Sequence, residues 1–387
     1  MKILFIWHAA ADPGNQRLFH EAVRRRGVEL LVIAPRKARE RQRLWTIRRP
    51  FTIRGAGSGS RFTLSPGRVV RLRRGPGYDL YLDLPSRLAG FKPDIIHVAE
   101  EAGSLAAAGA ALLRPVFAPH ASLVLHLFRN VSTRYRWPWP AIERAVLRRA
   151  DAIVTSGPEV VRVTRLKGYR GPAFLRTWGA DEREFRPGTR SPVRSALPPG
   201  GPVIGWAGRM FLGKGLQILL RASALMRRPH RLLVVGSGPL EADMRKLAAR
   251  LDISRRISWA GAVPPDKMAR YYSAMDVFCH PTISRPPDMP DWKEQFAKTQ
   301  IEAMLSGLPV VSTTSGDNAW GVGDGGLIVR EKDAAALARA LDSLAGNARL
   351  RRALGRKARA RALANFTWRK AADGLIDIWR GLKKEHR

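Results

Sequence analysis

Val203-Ile204-Gly205-Trp206-Ala207-Gly208-Arg209-Met210-Phe211-Leu212-Gly213-Lys214-Gly215 begins as an unbroken apolar run of strand length and ends in a glycine-marked turn that carries two cations. A run without polar alternation suits a strand covered on both faces, the kind found in parallel sheets. The stretch Gly215–Met226 that follows has helical spacing, so the whole reads strand, turn, helix. Glycines at such a turn let backbone N–H groups approach an anion, and the helix N-terminus adds a favourable partial charge. Arg209 can supply a planar fork and Lys214 a point charge for a diphosphate. The turn is not a Walker loop, because Gly215 follows Lys214 and the glycine spacing differs.

The same unit recurs on either side. Downstream, strands are predicted at Leu232–Val235, Ile257–Trp259, Val277–His280, Pro309–Ser312 and Leu327–Val329, with helices over Pro239–Leu251, Pro265–Tyr272, Gln300–Ser306 and Ala334–Leu344. Upstream, strands are predicted at Ile3–Trp7, Glu29–Ala34, Ile95–Val98, Leu123–Phe128 and Ala152–Thr155, and helices near Gln16–Arg26, Ser104–Leu113 and Trp139–Arg149. Alternation of strand and helix argues for two α/β domains with parallel sheets. Residues 188–202, rich in Pro, Gly and Ser, read as a linker between domains at 1–187 and 203–367. The tail at 368–387 has apolar residues at helical spacing (Leu375, Ile376, Ile378, Trp379, Leu382) and is expected to cross back to the first domain. Two such domains would face each other across a cleft at the carboxyl ends of their strands.

The chain of 387 residues, 45% hydrophobic, is long enough for two cores and is not a disordered polyelectrolyte. Its 68 basic against 32 acidic residues give +36, and 54 of the basic residues are Arg. Such an excess directs attention to nucleic acid, anionic membranes and phosphate-bearing substrates. The densest stretch runs from Arg36 to Arg74, with 13 basic residues against Glu40 alone, interleaved with Leu44, Trp45, Ile47, Phe51, Phe62 and Leu64. It reads either as a solvated loop or as basic heads with apolar anchors suited to an anionic bilayer or a nucleic-acid backbone. One cysteine, Cys279, excludes an internal disulfide and suits a reducing cytoplasm. The apolar start Met1–Trp7 is too short for a signal-peptide core, and no run reaches the ~20 apolar residues of a spanning helix. The expected location is cytoplasmic, with peripheral attachment to the inner face of the membrane through Arg36–Arg74.

The block Trp292-Lys293-Glu294-Gln295-Phe296-Ala297-Lys298-Thr299-Gln300-Ile301-Glu302-Ala303-Met304 holds two carboxylates in contrasting settings. Glu294 precedes a helix, where backbone donors can receive phosphate. Glu302 lies inside a small, apolar helix, where a buried carboxylate demands a partner such as a ribose diol. Gly236-Ser237-Gly238 and Gly261-Ala262-Val263 mark two further strand ends beside Gly208, and the three together suggest a nucleotide pocket.

In these motifs, and in Gly307-Leu308-Pro309-Val310-Val311, Gly179-Ala180-Asp181 and the opening strand followed by Gly14, the chain resembles the retaining glycosyltransferases of family 4. The resemblance implies the GT-B fold, two Rossmann-like domains, and transfer of a sugar from a nucleotide diphosphate, UDP or GDP, to a glycan, lipid-linked or small-molecule acceptor held by the first domain. No cofactor and no metal are implied; Arg209 and Lys214 would neutralise the departing diphosphate. Glu302 would take the ribose, and Glu294 would hold hydroxyls of the sugar without acting as a nucleophile. Backbone groups at Phe296, Ala297, Lys298 and Thr299 would meet the distal phosphate, with Gly14, Gly208, Gly236 and Val263 also lining the donor site. Among His8, His97, His120 and His126, the strand-end His126 is the candidate for the histidine that relatives use near the sugar; the alternative is a satisfied core residue. Two positions depart from the pattern: Ala297 stands where relatives have Gly, and Trp320 where relatives often have an acid. The competing readings are a nucleotide-sugar epimerase or hydrolase of the same fold and a basic nucleic-acid-binding protein. For the latter the sequence offers no helix-turn-helix, zinc ligands or ribonucleoprotein signature.

Overall fold

The computed structural model describes residues 1–40, 43–47, 49–55, 59–72, 76–133, 136–188 and 191–385, with the side chains of 38–45, 76 and 385 left undescribed. The chain forms two compact units, Met1–Gly179 with Trp368–Arg387, and Ala180–Thr367. Both are built on parallel sheets, as the non-alternating apolar runs predict.

The main sheet of the first unit has eight strands in the order Ala173–Leu175, Ala152–Thr155, Ser122–Leu127, Ile95–Val98, Lys2–Ile6, Glu29–Pro35, Arg61–Gly67 and Phe51–Arg54. All neighbours run parallel except the edge strand Phe51–Arg54, which pairs antiparallel with Arg61–Gly67. The last two strands fall inside the arginine-dense segment, which is therefore not a solvated loop throughout, and of its apolar residues Ile47, Phe62 and Leu64 are buried while Phe51 stays exposed. In Arg61-Phe62-Thr63-Leu64 apolar and polar residues alternate, so Phe62 and Leu64 turn inward and are fully buried, as is Ile47 nearly so. The outward residues are partly neutralised: Arg61 pairs with Glu29 at 2.6 Å and Arg71 with Asp79 at 2.5 Å. Arg41, Arg48, Arg73 and Arg74 lie outside the described residues.

The helix Trp368–Glu385 belongs to the first unit. Its apolar stripe Ala372, Leu375, Ile376, Trp379 and Leu382 packs with Phe5, Leu18 and Phe19 in one core. At about 2 kcal/mol per large buried apolar side chain, that stripe is a sizeable share of the unit's stability.

The second unit holds six parallel strands ordered Ile257–Gly261, Arg231–Val235, Val203–Ala207, Val277–His280, Val310–Thr313 and Gly326–Val329. It begins before the expected linker. Ala180 and Phe185 sit in its core, and Pro192–Ser195 forms a short helix pinned by Oγ of the capping Ser191 to the Arg270 carbonyl (2.6 Å) and by Arg194 to Asp276 (2.7 Å). Residues of the 188–202 stretch thus pack as part of this unit, with Pro192 opening the short helix. The chain enters at Ala180 and leaves at Thr367, and these two residues bridge each other. Among the described residues no helix is long and apolar enough to cross a membrane.

Candidate active site

In the second unit, the carboxyl ends of the strands Val203–Ala207, Arg231–Val235 and Ile257–Gly261 are stitched together by backbone hydrogen bonds. Gly208 N–H donates to the Val235 carbonyl (3.0 Å), Met210 N–H to that of Ser237 (2.9 Å) and Gly236 N–H to that of Gly261 (2.7 Å). Gly236 has φ 129, and a Cβ there would fall 1.9 Å from the Gly208 carbonyl oxygen, so only glycine allows the two loops to meet. Gly208 itself faces open space on one side, its added Cβ meeting nothing closer than 3.5 Å. Val263 follows the third loop and is half-buried.

Lys214 ends a short turn over Leu212–Lys214, and Gly215, at φ 69, lets the next helix start against the Pro281 carbonyl. The Lys214 backbone carbonyl accepts from Trp206 Nε1 at 3.1 Å, and its side chain crosses the ring of Trp292 at 5.3 Å. Lys214 Nζ then reaches Glu294 Oε2 at 2.6 Å, and the same oxygen lies 3.1 Å from His280 Nε2. Both Glu294 and His280 are buried. Burial raises the Glu294 carboxyl, but the Lys214 ammonium and the His280 contact outweigh it and hold the group down at about 2. Burial lowers His280 below the ordinary histidine value, so at neutral pH its imidazole is uncharged and donates through Nε2. The result is an ion pair braced by a neutral ring.

Glu302 lies in the middle of the helix Lys298–Leu305 and is 8% exposed; Tyr272, fully buried, donates its hydroxyl to Glu302 Oε2 at 2.9 Å. Part of the demand that a buried carboxylate makes is thus met by a phenol. Before that helix, Ala297 takes φ −81, a conformation open to any residue, so replacing glycine here strains nothing. Lys298 N–H turns back to the Phe296 carbonyl at 3.1 Å, which engages one of the donors expected to face phosphate. Thr299 lies in the first turn of the helix, where N–H groups have no intrahelical partner. Phe296 and Trp320 each stand edge-on to Phe366, at 6.2 and 5.7 Å. Trp320 therefore fills an apolar place, and Arg361 holds the Trp320 and Gly321 carbonyls. Arg209 is exposed and, among the described residues, forms no ion pair.

The structure thus brings Lys214 and Glu294 into contact and sets Gly208, Gly236 and Arg209 in one group of loops. His126 and Gly14 belong to the first unit. His126 is buried at the end of its strand, stacked on Trp178 (centroids 4.3 Å apart) and Phe128 (5.0 Å). Its Nδ1 is 3.3 Å from His97 Nε2, and His97 Nδ1 accepts from Trp379 Nε1 at 3.1 Å. Those bonds fix both rings as neutral Nε2–H tautomers. Among the described residues His126 Nε2 is buried without a hydrogen-bond partner, and burial, opposed by the Arg176 backbone, depresses the ring to about 3. Gly14 is exposed in the first turn of Pro13–Val23, its N–H on Asp12 Oδ1 at 2.9 Å. His8 instead contacts Glu100 at 2.5 Å, and His120 is exposed. His280, Tyr272 and Trp292 escaped the sequence reading of the site. A signal existed for His280, the first polar residue after the apolar run Val277-Phe278-Cys279 at a strand end.

A pair of α/β units with parallel sheets and glycine-lined strand ends defines the GT-B class. Over their full lengths the chain superposes on sucrose-phosphate synthase from Thermosynechococcus elongatus with a TM-score of 0.73 at 22% identity, covering 100% of each chain. Against Anabaena HepE in complex with UDP the TM-score is 0.70 at 17% identity, covering 98% and 100%. In sequence, residues 17–172 match the model of Glycosyltransferase Family 4 and residues 201–347 that of Glycosyl transferases group 1. The chain belongs to family 4 of the glycosyltransferases. Its relatives include the D-inositol 3-phosphate glycosyltransferases of Nocardia farcinica (33% identity; 61% of this chain, 54% of that protein) and Corynebacterium urealyticum (32%; 62% and 59%). The chain spans a little over half the length of these relatives.

Proposed function

We propose that the protein transfers a sugar from a UDP- or GDP-sugar to an acceptor with retention of anomeric configuration and without a metal. The observation that carries this reading is the cluster Lys214–Glu294–His280 beside the joined glycine loops of the second unit. A cation held rigidly at the end of a parallel sheet suits charge developing on a leaving diphosphate, and preorganised charge of this kind is the largest contribution in many enzymes. Lys214, with Arg209 in the neighbouring turn, would supply that charge. Glu294, kept ionised by its neighbours, would accept hydrogen bonds from sugar hydroxyls, and Glu302, oriented by Tyr272, would accept those of the ribose. His126 is neutral with Nε2 protonated, fit to donate to an oxygen rather than to abstract a proton. Support for the donor class comes from HepE, solved with UDP and with UDP-glucose. The curated relatives named for D-inositol 3-phosphate place phosphorylated polyols in the acceptor panel beside glycans and lipid-linked sugars.

The test is a panel of UDP-, GDP- and ADP-sugars read by thermal stabilisation and slow donor hydrolysis. A UDP- or GDP-sugar should give both; silence across the panel refutes the reading. A sugar epimerised without transfer would favour the epimerase alternative. The basic segment Arg36–Arg74 is further proposed to meet an anionic membrane through charge, with exposed Val70 and Leu72 as its apolar contacts. Flotation with phosphatidylglycerol vesicles that fails at low salt refutes that part.

A further inference from the structure

The amino ends of three neighbouring strands in the second unit, Val203–Ala207, Arg231–Val235 and Ile257–Gly261, lie at the opposite edge of the sheet from the glycine loops. Five residues of parallel strand separate the two edges by roughly 16 Å. A cavity of about 370 Å³ opens at this second edge, within the usual range for small-molecule sites. Around it stand Arg227, Arg228, Arg231, Arg255, Arg256 and His230.

Two of these build the walls. Arg231 spans to the Gly201 carbonyl through Nε and Nη2 (3.2 and 2.9 Å) and to that of Pro198 through Nη1. His230 is buried, with Nδ1 on the Arg228 carbonyl at 2.8 Å and Nε2 on Ser223 Oγ at 2.7 Å. The carboxylate that meets this turn, Asp342, accepts the backbone N–H groups of Arg227 and Arg228, each at 3.0 Å. The other four guanidinium groups, on Arg227, Arg228, Arg255 and Arg256, belong to exposed residues, and among the described residues none forms an ion pair. Elsewhere in the unit comparable arginines do pair, Arg194 with Asp276 and Arg245 with Glu241. Like charges gathered around one concavity repel, and an anion there offsets the repulsion. Guanidinium forks match phosphate oxygens two at a time, which ammonium groups cannot do.

We propose that this cavity is a second anion site, taking a small ligand that carries at least two phosphate groups and binding it independently of the glycine-loop site. Its concavity, backed by Pro198, Pro199 and Pro229, fits a compact molecule better than a flat bilayer.

The experiment is calorimetric titration of the full chain with inorganic pyrophosphate, and in parallel flotation with phosphatidylglycerol vesicles. Wild type should show two pyrophosphate sites. Lys214→Ala should lose one and keep the other. Arg227→Ala combined with Arg255→Ala should weaken the remaining site tenfold or more, and Arg228→Gln with Arg256→Gln should do the same. Both pairs should leave unliganded thermal stability unchanged or raised, since only exposed like charges are removed. Pyrophosphate binding of equal stoichiometry and affinity in wild type and both pairs would overturn the proposal. So would vesicle binding that the pairs abolish in a protein that binds no pyrophosphate at this edge. Loss of donor binding in Lys214→Ala bears on the other site alone, so the two readings fail separately.

Discussion

Replacing Lys214 by Met, which keeps the length of the stem and removes the charge, would take from the buried Glu294 carboxylate the ammonium that lies 2.6 Å from its Oε2 and leave the neutral His280 ring on that oxygen. In the native protein the carboxyl falls from 4.5 to about 2. Lys214 and His280 share that lowering against the opposing effect of burial, and deleting one partner of a buried pair costs about 3–5 kcal/mol. The folded-state value is depressed, so the stabilisation is in place above pH 4.5 and is lost as pH falls through 2. At pH 7 Lys214→Met should therefore lower stability by about 3 kcal/mol, or roughly 6–12 °C in the melting of a unit this size. Glu294→Gln should cost less, and the double variant should show a coupling of about 2 kcal/mol or more in a thermodynamic cycle. The gap between wild type and Lys214→Met should narrow between pH 7 and pH 4, because the variant's carboxyl takes up a proton while the native one keeps its charge. Chemical denaturation of the four proteins across that range reads all of this. A coupling under about 0.5 kcal/mol, or a gap that ignores pH, would refute the reasoning.

Tyr272→Phe removes the hydroxyl that orients Glu302; nucleotide affinity should fall about tenfold at a cost of about 1–3 kcal/mol in stability, measured by calorimetry and melting. Gly236→Ala drives a Cβ into the Gly208 carbonyl and should abolish nucleotide binding while far-ultraviolet circular dichroism stays native. His126, depressed to about 3 by burial, takes up its proton more readily when unfolded. Stability should therefore decline as pH drops below 6.5, by about 2 kcal/mol at pH 5, and His126→Phe should flatten that slope. Trp379→Phe deletes the donor to His97 and should cost about 1–2 kcal/mol while exchanging the tautomers of His97 and His126, visible in nitrogen chemical shifts.

The strands of the second sheet were legible because Val203–Ala207 and its neighbours are apolar throughout, which a doubly covered strand requires. Arg61–Gly67 was not legible, since its short alternation is drowned by flanking arginines, and charge density was mistaken for exposure. At the site, Glu294 and Glu302 could be found because a carboxylate in apolar surroundings is conspicuous. Their partners are harder to read: Tyr272 and His280 lie 30 and 14 residues away in sequence, and apart from the strand-end position of His280 nothing marks either of them until the fold sets it beside an acid. The second edge of the sheet was silent for a different reason. Arg227 and Arg255 are two among 54 arginines, and only their convergence distinguishes them.

The placement of Trp368–Glu385 in the first core has a consequence for biosynthesis. During translation the first unit emerges with its helix still unmade, so its apolar groove beside Phe5 and Phe19 stays open until the second unit has been synthesised in full. The first half of the chain therefore waits on the second for its completion, exposed meanwhile to chaperones and to aggregation. A ribosome stalled before Trp368 should display a protease-sensitive nascent chain that becomes resistant once the last helix is released.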